Sequence, residues 1–248
     1  MTDVNDDLLC VADTKLVLGN WFAECVMNGR SLPDFAAMLG MCTASYGQAR
    51  AIYQHLAPGQ EAYAELERGR GPAEIRSMQL LDVPPQNWED LVMAAYLAEQ
   101  SSWALMSSLL ATDDRAVAAI ARKIGEEAYF HLKYATGWFK VIASDVEGAE
   151  RLQDSLARRI VLARDWFGAD DPGGGVMPRE GAMGGRALAD GFIRNVERDL
   201  APLGFQVPSE PAGGHAIAGS WDQTRRRRDD LPAGLFEVIR FKNPEYAH

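Results

Sequence analysis

Four long stretches of this chain carry apolar residues at steps of three and four, and that period decides the fold class. In LLCVADTKLVLGNWFAECVMN, residues 8–28, the positions Leu9, Ala12, Leu16, Gly19, Ala23 and Val26 fall on one side of a helix. Gly29 and Arg30 close it. A second helix is predicted to begin at SLPD, 31–34, with Ser31 as cap and Pro33 and Asp34 in the first turn, and to run to about His55. After a mixed stretch with a short helix at 60–68, Asn87 followed by Asp90 marks the start of a third helix, WEDLVMAAYLAEQSSWALMSSLLA. TDDR at 112–115 breaks that helix and caps a fourth, which reaches roughly Ala143. SDVE at 144–147 reads as a capping box for a fifth that extends to about Phe167, and a sixth follows at about 182–202. With almost no two-residue alternation to set against them, these segments predict an all-α protein. The four long helices, each about 20–30 residues, suit a bundle.

The remainder is irregular. GADDPGGGVMPREG at 168–181 reads as a flexible connector, and VPSEPAGGHAIAGSW as a loop over the surface. GLFEVIRFKNPEYAH alternates Phe236 and Val238 with Glu237 and Ile239, which predicts a short strand or extended arm reaching Arg240. The domain expectation is a helical bundle over 1–205 and a C-terminal tail, extended or partly ordered, over 206–248.

Charge and cysteine usage exclude several classes. A net charge of −10 argues against general nucleic-acid binding, because a polyphosphate repels the molecule as a whole. The local exception, Arg225–Arg228, could suit phosphates through bidentate guanidinium contacts, as in coenzyme A. Set against that, a run of this kind with Asp229 and Asp230 beside it reads as a solvated surface feature. Cys10, Cys25 and Cys42 are odd in number and form no CxxC pair, so neither a disulfide framework nor a zinc site is suggested. The acidic start, MTDVNDDLLC, lacks the basic region of a signal peptide, and no apolar run is long enough to span a bilayer. The expectation is a soluble, cytoplasmic protein.

KIGEEAYFHLKYATGWF, residues 123–139, is where metal chemistry would lie. A carboxylate-bridged di-iron bundle takes a Glu from each of two helices and an E-x-x-H pair from each of the other two. None of the four histidines completes such a pair: Ala128 precedes His131 by three, Ile52 precedes His55, and His215 and His248 lie in the tail. A looser set remains in Glu127 and His131, four apart on one helix face, with Glu24 and Glu99 inside otherwise apolar helices. The alternative reading makes Lys123, Glu127 and His131 an ordinary helical stripe, and Glu24 and Glu99 buried carboxylates held by Tyr, Trp, Lys or Arg. Trp88, Trp103, Trp138 and Trp166 read as core or interface anchors.

Taken together, VADTKLVLGNWFAE at 11–24, YGQARAIYQHL at 46–56, the third helix and KIGEEAYFHLKYATGWF resemble the phenylacetic acid catabolic protein family over roughly 8–205. These are ferritin-like subunits of the phenylacetyl-CoA epoxidase system. The resemblance implies a ferritin-like four-helix bundle with additional helices and two branches, one catalytic with a di-iron site and one structural. In the family's register the first E-x-x-H falls on Ser45 and Gln48, and the second on Ala128 and His131. Glu24 and Glu99 fall at the single-carboxylate positions, so about three of the six ligands remain.

That register implies the structural branch: no catalytic or cofactor-binding residues in this chain, and no metal, with Glu24, Glu99, Glu127 and His131 as the remnant of a site. The implied partner is a di-iron catalytic subunit in a homo- or hetero-oligomer, with acyl-CoA at a shared interface and neither nucleic acid nor membrane involved. The competing reading from the same residues is an atypical metal-dependent oxygenase using those four side chains. A third is a stand-alone bundle that binds a small molecule inside.

Overall fold

The computed structural model describes residues 4–168, 184–208 and 219–239. The connector after Gly168, together with His215, His248 and the end of the chain from Arg240, lies outside the described residues. Eight α-helices appear among the described residues: α1 Val4–Cys25, α2 Leu32–Leu56, α3 Gln60–Ala64, α4 Trp88–Ser107, α5 Arg115–Ile142, α6 Val146–Asp165, α7 Gly185–Leu200 and α8 Ala233–Ile239. The fold is all-α, as the sequence period predicts. Pairing of strand type among these residues is confined to isolated bridges, such as that between Asp222 and Arg227.

Capping side chains set the helix starts. Ser31 Oγ accepts from the Asp34 amide at 3.3 Å, Asn87 Oδ1 from that of Asp90 at 2.9 Å, and Asp114 Oδ1 from that of Ala116 at 2.8 Å. On α6 the cap is Asp145, one residue later than expected. Its carboxylate takes the Gly148 amide at 2.7 Å, while the Ser144 hydroxyl turns back to the Val141 carbonyl at 2.6 Å.

α1 packs along α2, α4 packs along α5, and α6 and α7 close on α4. The two inner helices are wrapped on all sides: every residue of α1 from Asp7 to Phe22 is buried, and every residue of α4 from Glu89 to Ser102. The one-sided apolar stripe read from residues 8–28 is therefore incomplete. A helix buried all round must satisfy the polar side chains on its other faces too. Asp13 of α1 accepts from Tyr53 Oη at 2.6 Å, Arg70 Nη1 at 2.8 Å and the Arg76 amide at 2.7 Å. Asp90 of α4 accepts from Arg159 Nε at 2.7 Å and Ser155 Oγ at 2.5 Å. Burial raises the Asp90 carboxyl, but the hydrogen bonds from Arg159 and Ser155 override it and leave it at about 2.

The arginine run corrects the sequence reading, because it is not a solvated feature. Arg226 and Arg227 are among the most deeply buried side chains. Arg226 meets Asp7 of α1 at 2.8 Å and lies over the Trp166 ring at 5.2 Å. Arg227 meets Asp82 at 2.7 Å, and Arg228 meets Asp165 of α6 at 2.8 Å. Arg225 bridges Asp222 and Asp230. Each guanidinium faces a carboxylate of this chain, which leaves none set out for phosphates. Arg226 also holds a left-handed backbone, φ 53°, which costs roughly 1–2 kcal/mol in a non-glycine residue and is sustained by these contacts. Beyond the run, 233–239 form α8 against α1, so the expected strand is a helix. Leu235, Phe236 and Ile239 share its buried face, a helical spacing that outweighs the short alternation.

Removing one partner of a fully buried ion pair strands the other. Arg226→Ala is expected to lower unfolding free energy in urea by about 3–5 kcal/mol. Arg225→Ala, whose carboxylate partners are exposed, should lower it by no more than ~1 kcal/mol.

Candidate functional site

Four helices meet at a buried polar cluster, and the residues that build it sit in apolar surroundings. Lys15 stands in the middle of α1, Glu99 in α4, His131 in α5, and Ser45 and Gln48 three apart on one face of α2; all are buried. Glu99 uses both oxygens. Its Oε2 lies 2.5 Å from Lys15 Nζ and its Oε1 lies 2.9 Å from His131 Nδ1. An ionised carboxylate can only accept, so His131 donates through Nδ1–H. Burial pushes the Glu99 carboxyl up, but the Lys15 ammonium and His131 outweigh it and hold the group at about 2.

Glu127, one turn before His131, belongs to a neighbouring pair. Gln48 Nε2 donates to its Oε2 at 2.7 Å, and Lys123 meets its Oε1 at 2.9 Å. The sequence stripe Lys123–Glu127–His131 is thus split, with the first two paired and the histidine turned to α4. Glu24 is exposed. It lies nine residues beyond Lys15, about 13 Å along the axis at 1.5 Å per residue, and takes no part in the cluster. Among the described residues no three carboxylate, imidazole or thiol groups converge on one point.

An apolar slot opens beside Glu99 and His131, walled by Phe22, Met38, Met41, Leu91 and Ala95. Its interior, about 20 Å³ measured to the centre of a water molecule, takes one small molecule at most. Benzene-sized ligands occupy cavities of roughly 150 Å³. Beyond the slot, Tyr134 Oη and Trp138 Nε1 both donate to Asp34, at 2.9 and 3.1 Å, and fasten the start of α2 to α5. Trp88 packs edge-on against Trp138 at 5.1 Å, so these tryptophans act as packing anchors.

The family profile described as phenylacetic acid catabolic protein matches residues 2–229, a span that includes all four helices of this cluster. The chain belongs to that family. Among curated proteins it is similar to one component of the 1,2-phenylacetyl-CoA epoxidase of Escherichia coli (strain K12), at 24% identity over 208 residues, covering 82% of this chain and 84% of that one. The family match runs past 205 and takes in the arginine run, which the resemblance alone does not place in the family.

Ser45, Gln48, Ala128 and His131, where the resemblance puts the two E-x-x-H pairs, are all buried. Their chemistry does not fit a pair of irons. A hydroxyl, an amide and a methyl group do not supply the carboxylate and imidazole that iron sites of this type require. Both oxygens of Glu99 and both of Glu127 are already engaged by donors of this chain, two of them lysine ammoniums.

Sequence reasoning missed Lys15. The signal was available: a charged residue in the apolar run VADTKLVLGNWF demands a buried partner by the same rule that singled out Glu99.

Two outcomes follow for stability. Glu99 titrates at about 2 in the fold and ordinarily at 4.5, so its stabilisation is complete above about pH 4.5 and disappears as pH falls towards 2. That loss should be on the order of 3 kcal/mol by denaturant titration, and Glu99→Gln should flatten the pH dependence in that window. Lys15→Ala should destabilise by about 3–5 kcal/mol at neutral pH, whereas the paired change Lys15→Met with Glu99→Leu should recover most of it.

Proposed function

We propose that this chain is a non-catalytic scaffold subunit of a multicomponent acyl-CoA ring oxygenase of the phenylacetyl-CoA epoxidase kind, which binds and positions a di-iron subunit. The observation that carries the reading is the Lys15 ammonium on Glu99 at 2.5 Å, in the bundle interior where the family's catalytic branch is expected to hold metal. A fixed positive charge there repels a second cation and engages a carboxylate that would otherwise be a ligand. The Escherichia coli relative is named as one subunit of an epoxidase, which supports a multi-subunit assembly. The interior slot is too small for an aromatic acyl group, which favours catalysis in the partner. On this reading any contribution to the acyl-CoA site comes from the interface with that partner, since the arginine run faces internal carboxylates.

Co-expression with the di-iron ferritin-like subunit of the same source, in iron-supplemented medium, tests this. The expected result is a stable complex whose iron, about two per pair of chains, stays with the partner when the chains are separated. Failure to co-purify, or about two irons retained by this chain alone, would overturn it.

A further inference from the structure

The outward face of α2 carries no charge where charge is expected. Between positions 32 and 47 of α2 the exposed residues include Leu32, Ala36, Leu39, Gly40, Thr43 and Gly47, and no ionisable side chain is exposed there. A helix face that meets water ordinarily carries charged residues. This one runs uncharged for about 22 Å at 1.5 Å per residue.

α5 extends the same surface. Asp34 holds Tyr134 and Trp138, and Gln48 holds Glu127, so α2 and α5 lie side by side and antiparallel. On that register Phe130, Gly137 and Val141 form the outward ridge of α5 next to α2. Phe130 is 69% exposed. A Cβ built at Gly40, Gly47 or Gly137 would meet nothing within 4 Å, so the surface between the helices is open and shallow enough for another helix to approach closely. Leu32, Leu39, Phe130 and Val141 are four of the ten large apolar side chains exposed among the described residues. Concentration on one side marks an interaction surface, where scattered exposure would not.

Charge selects the occupant. From Arg122 to Val141 the charged residues that reach the surface of α5 are Arg122, Lys123, Lys133 and Lys140 against Glu126 and Glu127, the last paired with Lys123, which leaves this stretch net positive in a chain of net charge −10. A twofold pair of identical chains would place this face on itself and gather like charges around it. We infer that the α2–α5 face is the docking surface for a different helical subunit, one presenting an uncharged helix-pair face bordered by carboxylates. This rests on the scaffold reading and gives it a location.

The full-length chain and its di-iron partner subunit are mixed, and binding is followed by surface plasmon resonance at several salt concentrations. Phe130→Asp and Gly40→Arg should each weaken binding about tenfold or more, with thermal midpoints unchanged. Leu39→Asp, on the same outward face, serves if Gly40→Arg disturbs folding. Lys133→Glu with Lys140→Glu should slow association and remove most of its salt dependence. If the wild type binds and these variants bind equally well, the face is wrong and the scaffold reading stands. Should the wild type not bind the partner at all, both fall. A self-association abolished by Phe130→Asp, with the mixed complex unaffected, would assign the face to a second copy and overturn the inference.

Discussion

The contact of Lys15 with Glu99 organises the centre of this molecule. A carboxylate buried between four helices must be neutralised, and di-iron bundles do so with metal. Here an ammonium from the inner helix α1 does it, with His131 on the other oxygen. Around that pair, Gln48 of α2 turns its amide to Glu127, and Ser45 is a small buried side chain. Buried ion pairs of this kind contribute little net stability but make the loss of one partner severe, which keeps α1 and α4 in fixed register.

The same device recurs outside the centre. Both inner helices are buried on every face, so their outer acidic residues need cations from elsewhere in the chain. Arg70 reaches Asp13, Arg159 reaches Asp90, and Arg226 comes from more than two hundred residues away to reach Asp7. The C-terminal part of the chain thus acts as a strap across α1, the 77–82 turn and α6. Asp82 stands out within it: burial raises its carboxyl to about 7 despite Arg227 alongside.

Much of the fold is legible in the sequence because helix period and capping chemistry are local. Asn87, Asp114 and Ser31 each begin a helix where the pattern predicts a start. The pairing of residues distant in sequence is not legible. Nothing in RRRRDD distinguishes a solvated run from one buried against Asp7, Asp82 and Asp165, because that depends on which helices it crosses. Glu24 illustrates the opposite error. It reads as interior because its neighbours are apolar, yet it lies at the end of α1 where the helix emerges, and Lys15 nine residues earlier holds the interior place.

Anomalous diffraction at the iron absorption edge, from crystals of this chain grown with ferrous iron, tests the central claim most directly. The account predicts no anomalous peak between Glu99 and His131, with the Lys15 ammonium in density on Glu99. Two peaks a few ångströms apart at that point, with Lys15 displaced, would contradict it.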